Sequence, residues 1–160
     1  MRIVEEAFAS LFAVTPLHSG FKHLITPQGT LAGMRHAVDH AIGSVKGDPC
    51  LVAAAYLYAD DLVAAHKKVY DMGDNHEAAY WHGIIHRREG DFFNANYWFR
   101  LAGHLPASLG MDPIGITERA QAFKSSGSQI ASEALLEDVR REFRALVQVG
   151  LDRLDAAETD

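Results

Sequence analysis

Between Ala78 and Pro106 the chain reads AAYWHGIIHRREGDFFNANYWFRLAGHLP, and the pair Gly90-Asp91 at its middle most limits the fold. From Ala78 to Glu89 there is no proline, and Ala78, Trp81 and Ile85 return at helical spacing. Gly90 can close that helix in a left-handed conformation, with Arg87 and Arg88 opposite the negative end of its dipole. Asp91 can cap the next helix by accepting its first N–H groups. There Phe92, Ala95, Phe99 and Ala102 form a stripe that Trp98 and Leu101 widen, so this second helix is expected to be covered all round, at the centre of the core. Gly103 and Pro106 are expected to end it.

The same grammar occurs once more, upstream. Asp48-Pro49 opens a run to Asp60, and Asp61 opens a second from Leu62 to Met72. Asp61 and Asp91 stand 30 residues apart, which predicts two hairpins side by side, over about 49–72 and 77–104. Before them, Ile3–Val14 reads as one helix and Leu31–Val45 as another, with a loop over 15–30 that has a turn near Phe21 and can pack over the core. After them, Ile116–Phe123 reads as a short helix. A long closing helix is expected over about 129–156, with Leu136, Val139, Phe143, Leu146, Gly150 and Leu154 as its buried stripe. Arg140, Arg141 and Arg144 among Glu137, Asp138 and Glu142 read as its solvated face, and the last residues as a frayed tail. The fold class expected is therefore all-α, in a single domain over 1–160.

Two resemblances attach to these residues. Gly83, Gly90, Asp91, Phe92, Ala95, Phe99 and Ala102 fall on consensus positions of the tetratricopeptide repeat, so each hairpin resembles one degenerate repeat. Ala79 replaces that motif's first-helix tryptophan, the terminal proline comes one residue early, and His82 and His86 fill two of its large positions. The resemblance implies that both rings pack between the two helices. The string Tyr80-Trp81-His82, His86-Arg87-Arg88-Glu89-Gly90-Asp91-Phe92, Asn94-Ala95 and Tyr97-Trp98-Phe99-Arg100 is also similar to an uncharacterised family of small helical proteins of bacteria and fungi. In that family an Asp-Asp-Leu and a histidine precede the signature, as Asp60-Asp61-Leu62 and His66 do here. That family implies relatives and a helical fold, and no activity.

Composition narrows the function. Net charge is −6 and the basic residues are scattered, which argues against a nucleic-acid partner. No run of about 18 apolar residues exists to span a membrane, and Glu5 and Glu6 stand where a secretory leader's apolar core would begin. One cysteine permits no internal disulfide, so a cytoplasmic setting is expected, with Cys50 as a small buried hydrophobe. The long closing helix could also pair with its copy in a homodimer.

Nine histidines stand out, and two pairs have the four-residue spacing that lets imidazoles share an ion. His36 and His40 lie opposite their helix's apolar face and read as surface. His82 and His86 read as interior. With His66 and a carboxylate such as Asp60 or Asp61 they could hold zinc or another divalent metal, and a water on that metal would point to hydrolysis. Metal hydrolases of the DNA-damage-inducible type also combine a histidine with a His-x-x-x-His pair, although their third histidine lies much farther off in sequence. That metal-dependent enzyme is the alternative; the first reading is a polar cluster drawn from Asp60, Asp61, Arg87, Arg88, Glu89, Asp91, Asn94, Arg100 and His104 around the histidines, which locks the core of a binding or scaffolding module for a protein or small-molecule partner. Arg87, Arg88 and Arg100 with Asn94 and His104 could also receive a carboxylate or phosphate, against the simpler expectation that these arginines are surface charges. Tyr97-Trp98-Phe99 reads as core.

Overall fold

The structure, a computed structural model, describes residues 1–26, 29 and 31–160. Among these residues about 70% are helical and there are no strands. The short helices α1 (Val4–Ala7) and α2 (Ala9–Val14) are followed by a 3-10 turn at Leu17–Ser19, α3 (Arg35–Ser44), α4 (Pro49–Tyr58) and α5 (Leu62–Val69). Then come α6 (His76–Glu89), α7 (Phe92–Leu101), α8 (Leu105–Ser108), α9 (Pro113–Ser126) and α10 (Glu133–Thr159).

The α4–α5 and α6–α7 hairpins turn in the same way. Each first helix ends on a residue in the left-handed conformation, Gly90 at φ 82° and Asp60 at φ 62°. The next backbone N–H then reaches back five residues, Asp91 to the His86 carbonyl and Asp61 to the Tyr56 carbonyl, both at 2.9 Å. The two aspartates cap the second helices, accepting from Asn94 at 3.2 Å and from Ala64 at 3.0 Å. Short polar side chains tolerate the left-handed region better than other non-glycine residues, so aspartate can stand at the upstream corner where glycine serves downstream.

α6, not α7, is the buried centre. Every residue from Glu77 to Arg88 is buried, whereas on α7 only Ala95 and Phe99 are, and Phe93 and Tyr97 are 89% and 52% exposed. The aromatic count of α7 misleads because two of its rings, Phe93 and Tyr97, lie on the outside of the hairpin. Gly83 lets the two helices meet: a Cβ there would stand 2.5 Å from the Phe99 ring.

Other boundaries move for local reasons. The N-terminal helix breaks at Phe8, which leaves helical dihedrals (φ −110°, ψ 22°) as its ring packs against Phe143. Gly33 at φ 79° delays α3 to Arg35, although Met34, Val38, Ala41 and Val45 are buried as the stripe requires. Pro106 does not end α7 but lies within the extra short helix α8. α9 runs longer than its apolar pattern because Asp112 caps it at Gly115 and Pro113 starts it. Ser132 caps α10, accepting from Leu135 at 3.2 Å, so the helix begins later than expected and runs to Thr159. Its end is tied down, with Glu158 receiving Arg2 and Lys46. In the segment over 15–30, Phe21 and Leu24 are buried and pack on the core; Pro27, Gln28 and Thr30 lie outside the described residues.

Charges also enter the interior. Arg87 pairs with Glu142 of α10, and Arg88 with Asp60 at 2.6 Å while donating to the carbonyls of Leu57 and His23. Arg140 donates to the Gly20 carbonyl at 2.9 Å. The expectation that Arg87, Arg88, Arg140 and Glu142 are solvated is therefore corrected: all four are buried, because each has a partner on a distant segment.

Candidate metal centre

Three imidazoles meet where α5 lies against α6. His82 and His86 are one turn apart on α6, 2% and 9% exposed, and His66 comes from the second turn of α5, half-buried. One ring nitrogen from each lies within 4.8 Å of the other two. His66 Nε2 and His82 Nε2 are 2.7 Å apart, the rings of His82 and His86 stack with centroids 4.9 Å apart, and His66 presents its edge to both. The four-residue step makes the α6 pair, and the hairpin stacking supplies the third ring.

Neighbours fix these rings unevenly. Trp98 of α7 stacks on His82 at 3.8 Å, so this residue, read from sequence as core, is a wall of the site. Glu89 Oε2 lies 2.9 Å from His86 Nδ1; a carboxylate only accepts, so the ring donates there and its Nε2 carries the lone pair. The Asn94 amide nitrogen stands 3.4 Å from that Nε2. His82 Nδ1, by contrast, is buried with no hydrogen-bond partner. Burial, reinforced by the neighbouring His66 and His86, pushes the His82 pKa down to about 3. His66 is lowered as well, by burial and then by His86, against the opposing pull of Glu89. A neutral imidazole is the form that binds metals.

No match is found among family models, curated proteins or solved structures. The chemistry of the site must be read from its own residues.

The wider polar cluster divides. Asp60 is engaged with Arg88, and Asp61 caps α5, so neither belongs to the group of ligand atoms that includes the three histidines. The carboxylate beside the rings is Glu89, in a supporting position. Asp91 caps α7, while Arg100 and His104 are exposed. Arg87 and Arg88 are each held by a buried carboxylate, so the anion pocket built from Arg87, Arg88 and Arg100 is not assembled. His36 and His40 are exposed on α3. A second group, Asp48, Cys50 and Glu77, also brings ligand-type atoms together, but Arg153 already bridges Asp48 at 2.6 Å and Glu77 at 3.0 Å. Sequence reading missed it because Glu77 and Arg153 reach Cys50 only through the fold.

The donor set suits a borderline ion. Three imidazoles without thiolate or first-rank carboxylate fit zinc, cobalt, nickel or copper better than magnesium or calcium. Two nitrogens on a tetrahedral ion at about 2.0–2.1 Å stand about 3.3 Å apart, so His66 and His82, now at 2.7 Å, need part by roughly half an ångström.

Proposed function

We propose that this chain is a metal-dependent binding module, built of two tetratricopeptide-like hairpins, in which His66, His82 and His86 hold one divalent transition ion such as zinc. The observation that carries this reading is the convergence of three ring nitrogens from two helices within 4.8 Å. Glu89 on His86 Nδ1 is the outer carboxylate that orients a metal-bound imidazole.

Binding fits the surroundings better than hydrolysis. Among the described hydrogen-bond partners of the three rings the only carboxylate is Glu89, and its contact with His86 engages it away from the role of general base. Protein purified without an affinity tag, loaded with zinc and dialysed, should retain one equivalent by elemental analysis. His66→Ala, His82→Ala and His86→Ala should each lose it.

A second reading has its own observation. The 2.7 Å contact between His66 and His82 is an ordinary N–H···N hydrogen bond in length, and it would let the cluster act as a polar lock in a scaffolding module. Wild-type protein that retains no metal under replete conditions would leave that reading standing and remove the first.

A further inference from the structure

Asn94 stands where a metal's next ligand would be met. Its backbone is pinned by Asp91 at 3.2 Å, so α7 rather than solvent sets the position of the side chain. Its amide nitrogen lies 3.4 Å from His86 Nε2, the nitrogen left with a lone pair once Nδ1 donates to Glu89. Without an ion, that lone pair is the amide's acceptor. With an ion on Nε2 the lone pair is used, and the amide N–H must find another acceptor or remain unpaired in a half-buried position.

Geometry supplies one. In a tetrahedral complex the remaining ligand stands about 3.3 Å from each coordinating nitrogen, given metal–nitrogen bonds of about 2.0–2.1 Å. The Asn94 amide nitrogen, 3.4 Å from His86 Nε2, stands in that same shell, so the side chain must turn aside for the ligand and then has its N–H beside it to donate. Three neutral imidazoles bring no charge to the ion and Glu89 offsets one unit only from behind His86, which favours an anion over water in the fourth position.

Resting on the metal reading, we infer that the centre takes a small exogenous anion as its fourth ligand, a carboxylate or a species of similar size, and that Asn94 donates a hydrogen bond to it. The protein would then be a receptor for a small anion through its metal, and Asn94 would select for a ligand with a free acceptor lone pair beside the coordinating atom.

Cobalt-substituted protein provides the test, with acetate as the probe. Its visible ligand-field bands report both loading and the fourth ligand. In the wild type, acetate should shift the bands saturably. Asn94→Ala should load cobalt within about twofold of wild type but bind acetate about tenfold more weakly, the worth of one hydrogen bond to a charged group. Asn94→Asp should place its own carboxylate on the ion, binding cobalt more tightly and losing the acetate response. Bands that acetate leaves unchanged in loaded wild type, or equal acetate affinity in wild type and Asn94→Ala, would overturn the inference while the metal centre stands. Failure of cobalt to bind would remove the metal reading and this inference with it.

Discussion

Arg87 of α6 and Glu142 of α10 form an ion pair in which each side chain is 1% exposed, and the Tyr80 hydroxyl donates to the same carboxylate at 2.8 Å. The central helix is thus joined to the closing one by charge as well as by apolar packing. A buried pair of this kind is not strongly stabilising in itself, because desolvation offsets the attraction. Breaking it from one side is a different matter.

Glu142→Ala should therefore destabilise the protein by about 3–5 kcal/mol, since the guanidinium of Arg87 would remain buried without a counter-charge. Arg87→Met combined with Glu142→Leu should cost much less than either single truncation. Urea unfolding of Arg87→Met, Glu142→Leu and the double variant measures this, and additive losses would show that the charges act independently.

These charges explain what was and was not legible in the sequence. The Gly90-Asp91 corner, the Asp48-Pro49 start and the stripe of α10 are local patterns, and helices formed where they indicate. The histidine pair on α6 was equally local, and His66 entered with the other resemblance, in which a histidine precedes the signature. Arg87, Arg88 and Glu142 looked like solvated charges because their partners lie on other segments, Arg88 meeting Asp60 and Arg87 meeting α10. Aromatic content alone made α7 look central, whereas the small residues Ala78, Ala79 and Gly83 mark α6 as the helix its neighbours can approach closely.

Gly83→Ala should disturb the hairpin beneath the site. The new methyl would stand 2.5 Å from the Phe99 ring, which must shift or force α6 and α7 apart. Overpacking of this kind costs about 1–3 kcal/mol, partly offset by the better helix propensity of alanine. A lowered thermal midpoint that Phe99→Leu partly restores is the expected outcome. An unchanged midpoint would mean that the helices are not in close contact there.

Acidification should destabilise the metal-free protein through His82. Its pKa falls from the usual 6.5 to about 3 on folding, so between those values the unfolded chain binds the extra proton. Stability from this group is complete above about pH 6.5 and is lost as pH falls towards 3, by up to about 1.4 kcal/mol per pH unit. The facing groups are His66 and His86, with Glu89 behind His86; the lowered pKa of His66 adds a loss of the same sign. Subtracting the pH profile of His82→Leu from that of the wild type isolates the effect, and a flat difference would mean that His82 is not held neutral by the fold.

The same variant separates a metal ligand from a structural lock. Leucine in place of His82 removes the orphaned Nδ1, whose burial costs on the order of 1–3 kcal/mol, and leaves His66, half-buried, to find water in place of its 2.7 Å partner. It also keeps an apolar surface against Trp98. Metal-free His82→Leu should therefore be as stable as the metal-free wild type or more so. Zinc at a hundred times its dissociation constant should raise the wild type by about 2.7 kcal/mol and leave the variant unmoved. Calorimetric unfolding with and without zinc reads both quantities. If the variant is instead weaker by several kcal/mol in the absence of zinc while zinc leaves the wild type unchanged, the bond between the two histidines is the reason for their meeting, and the ion has no part in it.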